Sequence, residues 1–361
     1  MEILDLSQKA PDDFIRLGSV SLKDVADLSL RPKCVDLQKA GFEEFRYADE
    51  EDFIAEIGKQ HPDPIRLTPT NETIRVLALD TSSIELGETD AGLLCAVRGT
   101  VVQKDREGYR YTRYGPFIFH VTEANKEYLY NGLRQIYFGT NEASPTPNVL
   151  WMPGRIRNVL ERWLQGRLSQ VCRDSIILWD GSLTAWTIDS PVTLIGELLR
   201  AARSGGNVVL AISKKTRFTL SGQRVADLID DRDAPCLLDL DEIIRREYGS
   251  YLCFFGRVYA AKFIPSCFSF RLDIDRKVSE EAGIDAVQKL IGNDLVVESY
   301  PETLRLAHIL SKFSASEVIG MQRLVTENYD IRVVSRPDVR QVLFGPYGGG
   351  RSSSLGGEEL L

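Results

Sequence analysis

Histidine is scarce in this chain of 361 residues, with only His61, His120 and His308, and its six cysteines include no CxxC pair. Cys34, Cys95, Cys172, Cys236, Cys253 and Cys267 are scattered, most of them inside apolar runs, where a free thiol behaves as a small hydrophobe. That distribution argues against a zinc cluster or a disulfide framework as the source of stability. A basic excess is also missing, since 44 Lys and Arg stand against 52 Asp and Glu for a net charge of −8. A DNA binder coated in basic residues is thereby excluded. An enzyme that grips phosphate through cations held by carboxylates is not, because such a site is acidic by construction. No long apolar run survives inspection: the stretch from Tyr251 to Phe270 is interrupted by Arg257, Lys262 and Pro265, so it cannot span a bilayer as one helix. The opening MEILDLSQKAPDDF lacks the basic start and apolar run of a secretory signal, so a cytoplasmic protein with reduced thiols is expected. With 43% apolar and 27% charged residues, the chain is long enough to bury one large core or two moderate ones without covalent staples.

The pattern along the chain predicts an α/β fold. Residues 1–70 read as a mixed, partly helical extension with an acidic stretch from Glu43 to Asp52, closed by the helix-breaking His61-Pro62-Asp63-Pro64. A short apolar strand at 74–79 ends in Asp80, and two more strands, 91–103 and 109–119, follow across a tight polar link. Three consecutive strands of this kind predict an antiparallel meander. Residues Thr81 to Asp90 read as an acidic excursion between the first two. Over 154–171, apolar residues recur at spacings of three and four, which predicts an amphipathic helix. Strand 175–179, helix 191–204 and strand 207–212 then imply a parallel crossover. Segments 251–264 and 267–275 predict an added antiparallel hairpin, and 303–313 a final helix. The tail 345–361, with six glycines, holds too little apolar surface to order alone.

Ligands in open α/β sheets gather beyond the carboxyl ends of parallel strands. Asp80 in LALDTSS and Asp180 in ILWDGSLT occupy such ends, and if the two strands lie parallel and adjacent their carboxylates reach one metal. Each alone could simply start a turn or cap a helix. Glu161, at the margin of the predicted amphipathic helix, can face the same edge or pair with Arg157 one turn earlier. His308 lies between apolar neighbours in TLRLAHILSKF and could be a satisfied boundary residue, a ligand or a proton carrier. Lys214 and Lys215, with Arg217, follow the strand at 207–212 and could hold a phosphate. Arg155, Arg157, Arg162, Arg167 and Arg173 supply a local basic stripe in an acidic chain.

The order strand with Asp, two antiparallel strands, helix with Glu, parallel strand with Asp, crossover, strand and late helix with His is that of a ribonuclease H-like mixed sheet. At these residues the chain resembles the NurA nuclease family, through LALDTSS, RIRNVLERW, ILWDGSLT, AISKKTR, FSFRLDI and SYPETLRLAHI. The resemblance spans roughly residues 74–320. It implies Asp80, Glu161, Asp180 and His308 as metal-site residues and Lys214 as their companion, in a nuclease domain covering 71–335. It also implies a Mn2+- or Mg2+-dependent deoxyribonuclease, a 5′-to-3′ exonuclease and single-strand endonuclease. Such a protein works as a homodimer with a HerA-type hexameric ATPase in DNA end resection, hydrolysing DNA at a pair of cations about 4 Å apart. The sequence departs from the family at Thr81, where the first motif usually has glycine. Two other classes share features of the pattern: a catalytically silent DNA-clamping subunit, and the actin-like ATPases and sugar kinases, whose phosphate turns resemble DTSS and DGSLT.

Overall fold

The computed structural model describes residues 11–23, 25–33, 53–55, 63–140, 146–185, 187–214, 216, 218–220, 223–249, 252–266 and 268–334. The acidic stretch 43–52, His61, Cys34, Cys267, Lys215, Arg217 and the tail 345–361 lie outside the described residues. In chain order, α1 (Asp12–Ser21), β1 (Ser29–Pro32) and β2 (Ile65–Arg66) precede the meander β3 (Arg75–Thr89), β4 (Gly92–Asp105) and β5 (Gly108–Thr122). Next come α2 (Lys126–Phe138), α3 (Met152–Val171), β6 (Ser175–Asp180), α4 (Val192–Ser204) and β7 (Val208–Ser213). The chain continues through β8 (Cys236–Asp239), α5 (Asp241–Tyr248), β9 (Gly256–Lys262), β10 (Phe270–Asp275), α6 (Glu280–Asn293), α7 (Glu302–Ser311), α8 (Ala315–Tyr329) and β11 (Arg332–Val333).

These strands form one mixed sheet of eleven, in the order β11-β1-β3-β6-β7-β10-β9-β8-β2, with β4 on the other edge of β3 and β5 beyond β4. β3 is long enough to have two lives. Its first half runs parallel to β6, Arg75 opposite Ser175 through Leu79 opposite Trp179, while residues 87–89 pair antiparallel with β1. Thr81 to Asp90 is therefore no excursion: all but Asp90 belongs to the strand. The acidic side chains misled because alternation, not polarity, marks a strand with one half-open face. β6 and β7 are parallel and joined by α4, and the predicted hairpin is present as antiparallel β9 and β10.

Period-two alternation divides the sheet's apolar residues between two cores. Leu77, Leu79, Ile177, Trp179, Val209 and Ala211 point to one face and pack under α3 and α4, which contribute Ile156, Leu160, Leu164, Ile195 and Leu199. Val76, Ala78, Ile176, Leu178, Leu210 and Ile212 point to the other, under Val287 and Leu290 of α6 and Leu304 and Ala307 of α7. α1 sends Phe14 and Leu17 into the first core. Cys95, Cys172 and Cys236 are buried free thiols, and Cys253 is half-buried.

The helix at 302–311 is not the last, because α8 follows it. Its start was legible in Ser314-x-x-Glu317, a capping box in which the Ser314 hydroxyl accepts from the Glu317 amide and Glu317 accepts from the Ser314 amide. Glu317 has a second task. Arg98 of β4, only 4% exposed, donates to Glu317 Oε1 at 2.7 Å and to the Lys312 carbonyl at 3.2 Å, with its guanidinium over the Phe313 ring. The Arg98 hydrogen bond, aided by Ser314 and opposed by burial, lowers the Glu317 pKa to about 2.

A carboxyl held below its ordinary value stabilises the fold above its unfolded pKa of about 4.3 and loses that contribution as pH falls toward the folded value. Glu317→Gln should cost about 1–3 kcal/mol at pH 6, because Arg98 loses its charged partner while buried. In urea unfolding the gap between wild type and variant should narrow at pH 3. A gap of equal size at both pH values would show that the ionised form of Glu317 is not what stabilises the fold.

Candidate metal centre

Register puts the two motif aspartates beside each other. Leu79 pairs with Trp179, so the next residues, Asp80 within β3 and Asp180 at the end of β6, lie at the same level of adjacent parallel segments and on the face covered by α7. α7 crosses that level with His308, whose Nδ1 lies 2.7 Å from Asp80 Oδ2. One ligand-capable atom from each of Asp80, Asp180 and His308 falls within 4.8 Å of the others. If His308 donates its Nδ1 proton to the carboxylate, Nε2 remains an acceptor or ligand.

Each carboxylate is held by a fixed set of partners. The Ser311 hydroxyl, one turn after His308, donates to Asp80 Oδ2 at 3.1 Å, and the Thr81 amide donates to Asp80 Oδ1 at 2.8 Å. Lys214, just beyond β7, donates to Asp180 Oδ2 at 2.7 Å and lies over the Tyr300 ring. Burial acts to raise the Asp80 pKa, but the His308 hydrogen bond and the nearby charges of His308 and Lys214 outweigh it and hold the group below its ordinary value. Asp180 goes the other way: burial raises it, Lys214 only partly offsets that, and the charge of Asp80 adds to the rise. The pair therefore divides into one carboxylate that stays ionised and one that takes up a proton more readily.

Glu161 does not join this trio. It sits on α3 across the sheet, where its Oε2 accepts from the Thr81 hydroxyl at 3.3 Å and its Oε1 from Gln165 at 3.3 Å. Burial raises its pKa, partly offset by Arg162 and Arg157, with Asp80 and Asp180 adding to the rise. Thr81 is thus a link between the two faces. It is an in-register strand residue opposite Gly99 and needs no positive φ, so a β-branched side chain is at home there. Gly99 makes the room: a Cβ there would lie 2.5 Å from Leu164 Cδ1 and 3.5 Å from the Thr81 methyl. The second motif does use its glycine, since Gly181 adopts φ +113° directly after Asp180.

Three further residues act at the site without having been singled out for it. The Tyr300 hydroxyl is buried with no hydrogen-bond partner among the described residues, and its pKa is raised by burial and then by Asp180 and Asp80. Ser311 completes the Asp80 contacts. Asp273, fully buried, accepts from the Leu183 amide at 2.9 Å and from Arg271 in a bidentate pair at 2.7 Å, fixing the loop that follows Asp180. The motif FSFRLDI was visible in sequence, but its role as a buttress depends on β10 lying beyond β7. The arginine stripe of α3 is largely tied down: Arg155 binds Asp189, Arg162 binds Ser190 and Gln165, and Arg173 caps carbonyls at the helix end. His120 is a core residue within 2.8 Å of the Thr89 hydroxyl.

Comparison with known proteins bears on this arrangement. The NurA domain family model matches residues 74–313. The chain belongs to the NurA family. That match includes Asp80, Glu161, Asp180, Lys214 and His308 and ends before α8. Among solved structures, the NurA nuclease from Sulfolobus solfataricus is similar with a TM-score of 0.50 at 17% identity, over 74% of this chain and 88% of that one. A structure of NurA bound to dAMP and manganese gives 0.37 at 9% identity, over 74% and 91%. Endonuclease V from Bacillus subtilis gives 0.34 at 11% identity, over 73% and 88%. No curated protein matches the chain.

The Gly99 contact yields a test of how the NurA helix α3 is seated. Gly99→Val should displace Leu164 and Thr81 and cost about 1–3 kcal/mol. Thermal melting reads the change, and an unchanged midpoint would mean that the sheet and α3 do not need this close approach.

Proposed function

We propose that this NurA family member is a divalent-metal-dependent deoxyribonuclease. The observation that carries the reading is the convergence of Asp80, Asp180 and His308 donor atoms within 4.8 Å. Two carboxylates and an imidazole suit Mn2+ or Mg2+, the harder ion preferring the oxygens and manganese tolerating the ring nitrogen. Asp80, Asp180 and His308 would hold the metal, and Glu161 would serve the same site from across Thr81. Bound there, a divalent cation would supply Lewis-acid stabilisation of phosphodiester oxygens and a more acidic water. The chain's own groups have separate tasks. Lys214 orients Asp180 and brings a positive charge to the strand ends, where a scissile phosphate would lie. The Tyr300 hydroxyl, kept protonated by its surroundings, is a donor without a partner among the described residues and suits a phosphate oxygen or water.

In the finer reading the enzyme is a 5′-to-3′ exonuclease and single-strand endonuclease that acts as a cytoplasmic homodimer with a HerA-type hexameric ATPase in DNA end resection. Residues 71–335 form its nuclease domain, in a ribonuclease H-like arrangement, with 1–70 as an extension and 345–361 as a tail. Family membership supports the pathway and partner, and the β5-β4-β3-β6-β7 order supports the arrangement. No helix among the described residues is long and apolar enough to cross a membrane. A silent clamp is the alternative that the assay below separates.

Labelled single-stranded and duplex DNA should be degraded in Mn2+ and spared in EDTA. Asp180→Ala should cut the rate by more than about 100-fold, the upper end of what losing a supporting partner costs a metal site. Equal cleavage by wild type and variant would expose a contaminant. Mn2+ at a hundred times its Kd should also stabilise the wild type by about 2.7 kcal/mol and leave Asp180→Ala unmoved. Asp80→Asn should abolish cutting yet elute as the same dimer in gel filtration, because removing one of two adjacent charges relieves repulsion when metal is absent.

A further inference from the structure

Both donors that α7 brings to Asp80 come from its last turn: His308 Nδ1 lies 2.7 Å and the Ser311 hydroxyl 3.1 Å from the same oxygen, Oδ2. Three residues apart on a helix, they share one face. The end of a helix is also where it frays, because its final carbonyls have no intrahelical donor. α7 has no left-handed cap to satisfy them, since Lys312 continues as extended backbone at φ −66°, ψ 152°. Nor does its own last turn hold a lysine or arginine to offset the negative end of the helix.

The cation comes from the sheet instead. In the register of β3 and β4, Asp80 stands opposite Thr100 and Ser82 opposite Arg98. Arg98 therefore shares the face of Asp80 and lies two residues further along, about 7 Å. Its Nη1 donates at 3.2 Å to the carbonyl of Lys312, the residue directly after Ser311, and its guanidinium sits 4.4 Å from the centroid of the Phe313 ring. On the other side, Gly115 and Pro116 of β5 together oppose Arg98 between the pairs Val97–Phe117 and Gly99–Tyr114. Bulges of this kind re-aim side chains.

A buried guanidinium needs a counter-charge. Glu317 provides it, accepting from Arg98 Nη2 at 2.7 Å through Oε1 while its Oε2 accepts from the Ser314 amide at 2.8 Å. One arginine thus joins the end of α7 to the start of α8, and Glu317 lies beyond residue 313, where the NurA match stops. We propose that Arg98 is a positioning residue of the metal centre: gripped by Glu317, it holds the carboxyl end of α7 on β4 and so keeps His308 and Ser311 on Asp80. This role rests on the metal-dependent nuclease reading for its effect on Mn2+, whereas the contacts themselves need no metal. Ligands must be held to within about 0.5 Å, and losing a group that orients one lowers metal affinity about 10- to 100-fold.

Mn2+ binding to the full chain, without DNA, is measured by loss of the free ion's EPR signal. Arg98→Met should weaken it about 10- to 100-fold, and Arg98→Lys, which keeps the charge but not the fork that reaches both acceptors, should fall in between. In the metal-free protein, the His308 Nδ1 proton donated to Asp80 should give a downfield ring resonance in NMR that disappears in Arg98→Met. Only His61 and His120 compete for its assignment. Ile244→Ala, in the separate core among α5, β8 and β9, should lower the melting temperature and leave affinity and resonance unchanged. Wild-type affinity or an intact His308 resonance in Arg98→Met, or an equal loss of affinity in Ile244→Ala, would overturn the role and leave the metal centre standing. A wild type that binds no Mn2+ would overturn the metal reading and this role with it. If Arg98→Met does not fold, Glu317→Gln decides: at pH 6 it should weaken Mn2+ binding about tenfold, because the amide still accepts but no longer carries charge, and unchanged affinity would overturn the role.

Discussion

Two carboxylates side by side, Asp80 buried and Asp180 half-buried, are the constraint around which the rest of this molecule is arranged. At separations below 5 Å their repulsion is about 3 kcal/mol or more at an effective dielectric near 20. Lys214 on Asp180 and His308 on Asp80 each relieve part of it. The residual tension appears as opposite pKa directions for the two groups. A site built this way is poised to gain from a divalent cation, because the ion satisfies both charges at once.

The scaffold that maintains this tension is rigid on both faces. Parallel pairing of β3 and β6 leaves the aspartates no freedom of level, and α7 is anchored by Leu304 and Ala307 in the core just before it delivers His308 and Ser311. The loop after Asp180 is fixed at Gly181, whose amide donates to the Ile212 carbonyl, and at Leu183 by Asp273. Asp273 in turn is held by Arg271, a buried pair whose value lies in placement more than in net stability. The site is therefore positioned by side chains from β3, β6, β7, β10 and α7 that are far apart in sequence.

Much of the architecture was legible beforehand for local reasons. The meander, α3, the β6-α4-β7 crossover and the β9-β10 hairpin all carry strong periodicity, and apart from the far half of β3 their bounds shifted by only a few residues. α2, α6 and α8 went unread, although Ser279 and Ser314 both supply N-cap signals followed by glutamates. The second half of β3 was missed because Ser82, Ser83, Glu85 and Glu88 resemble a loop when pairing partners are unknown. Its burial depends on β1 and β4, which no local window contains.

The chain's own order of residues determined the two motif aspartates, the glycine after Asp180 and the lone helical histidine, since each is written in a short motif, whereas only Asp180 ends its strand and Asp80 lies within β3. Folding alone decided that Glu161 stands across the sheet behind Thr81, that the Tyr300 hydroxyl has no hydrogen-bond partner among the described residues, and that Arg98, Arg134 and Arg271 are buried. The reason is physical: a motif fixes backbone conformation within a few residues, whereas which face a side chain meets, and what charge waits there, follows from strand register and helix docking over hundreds of residues.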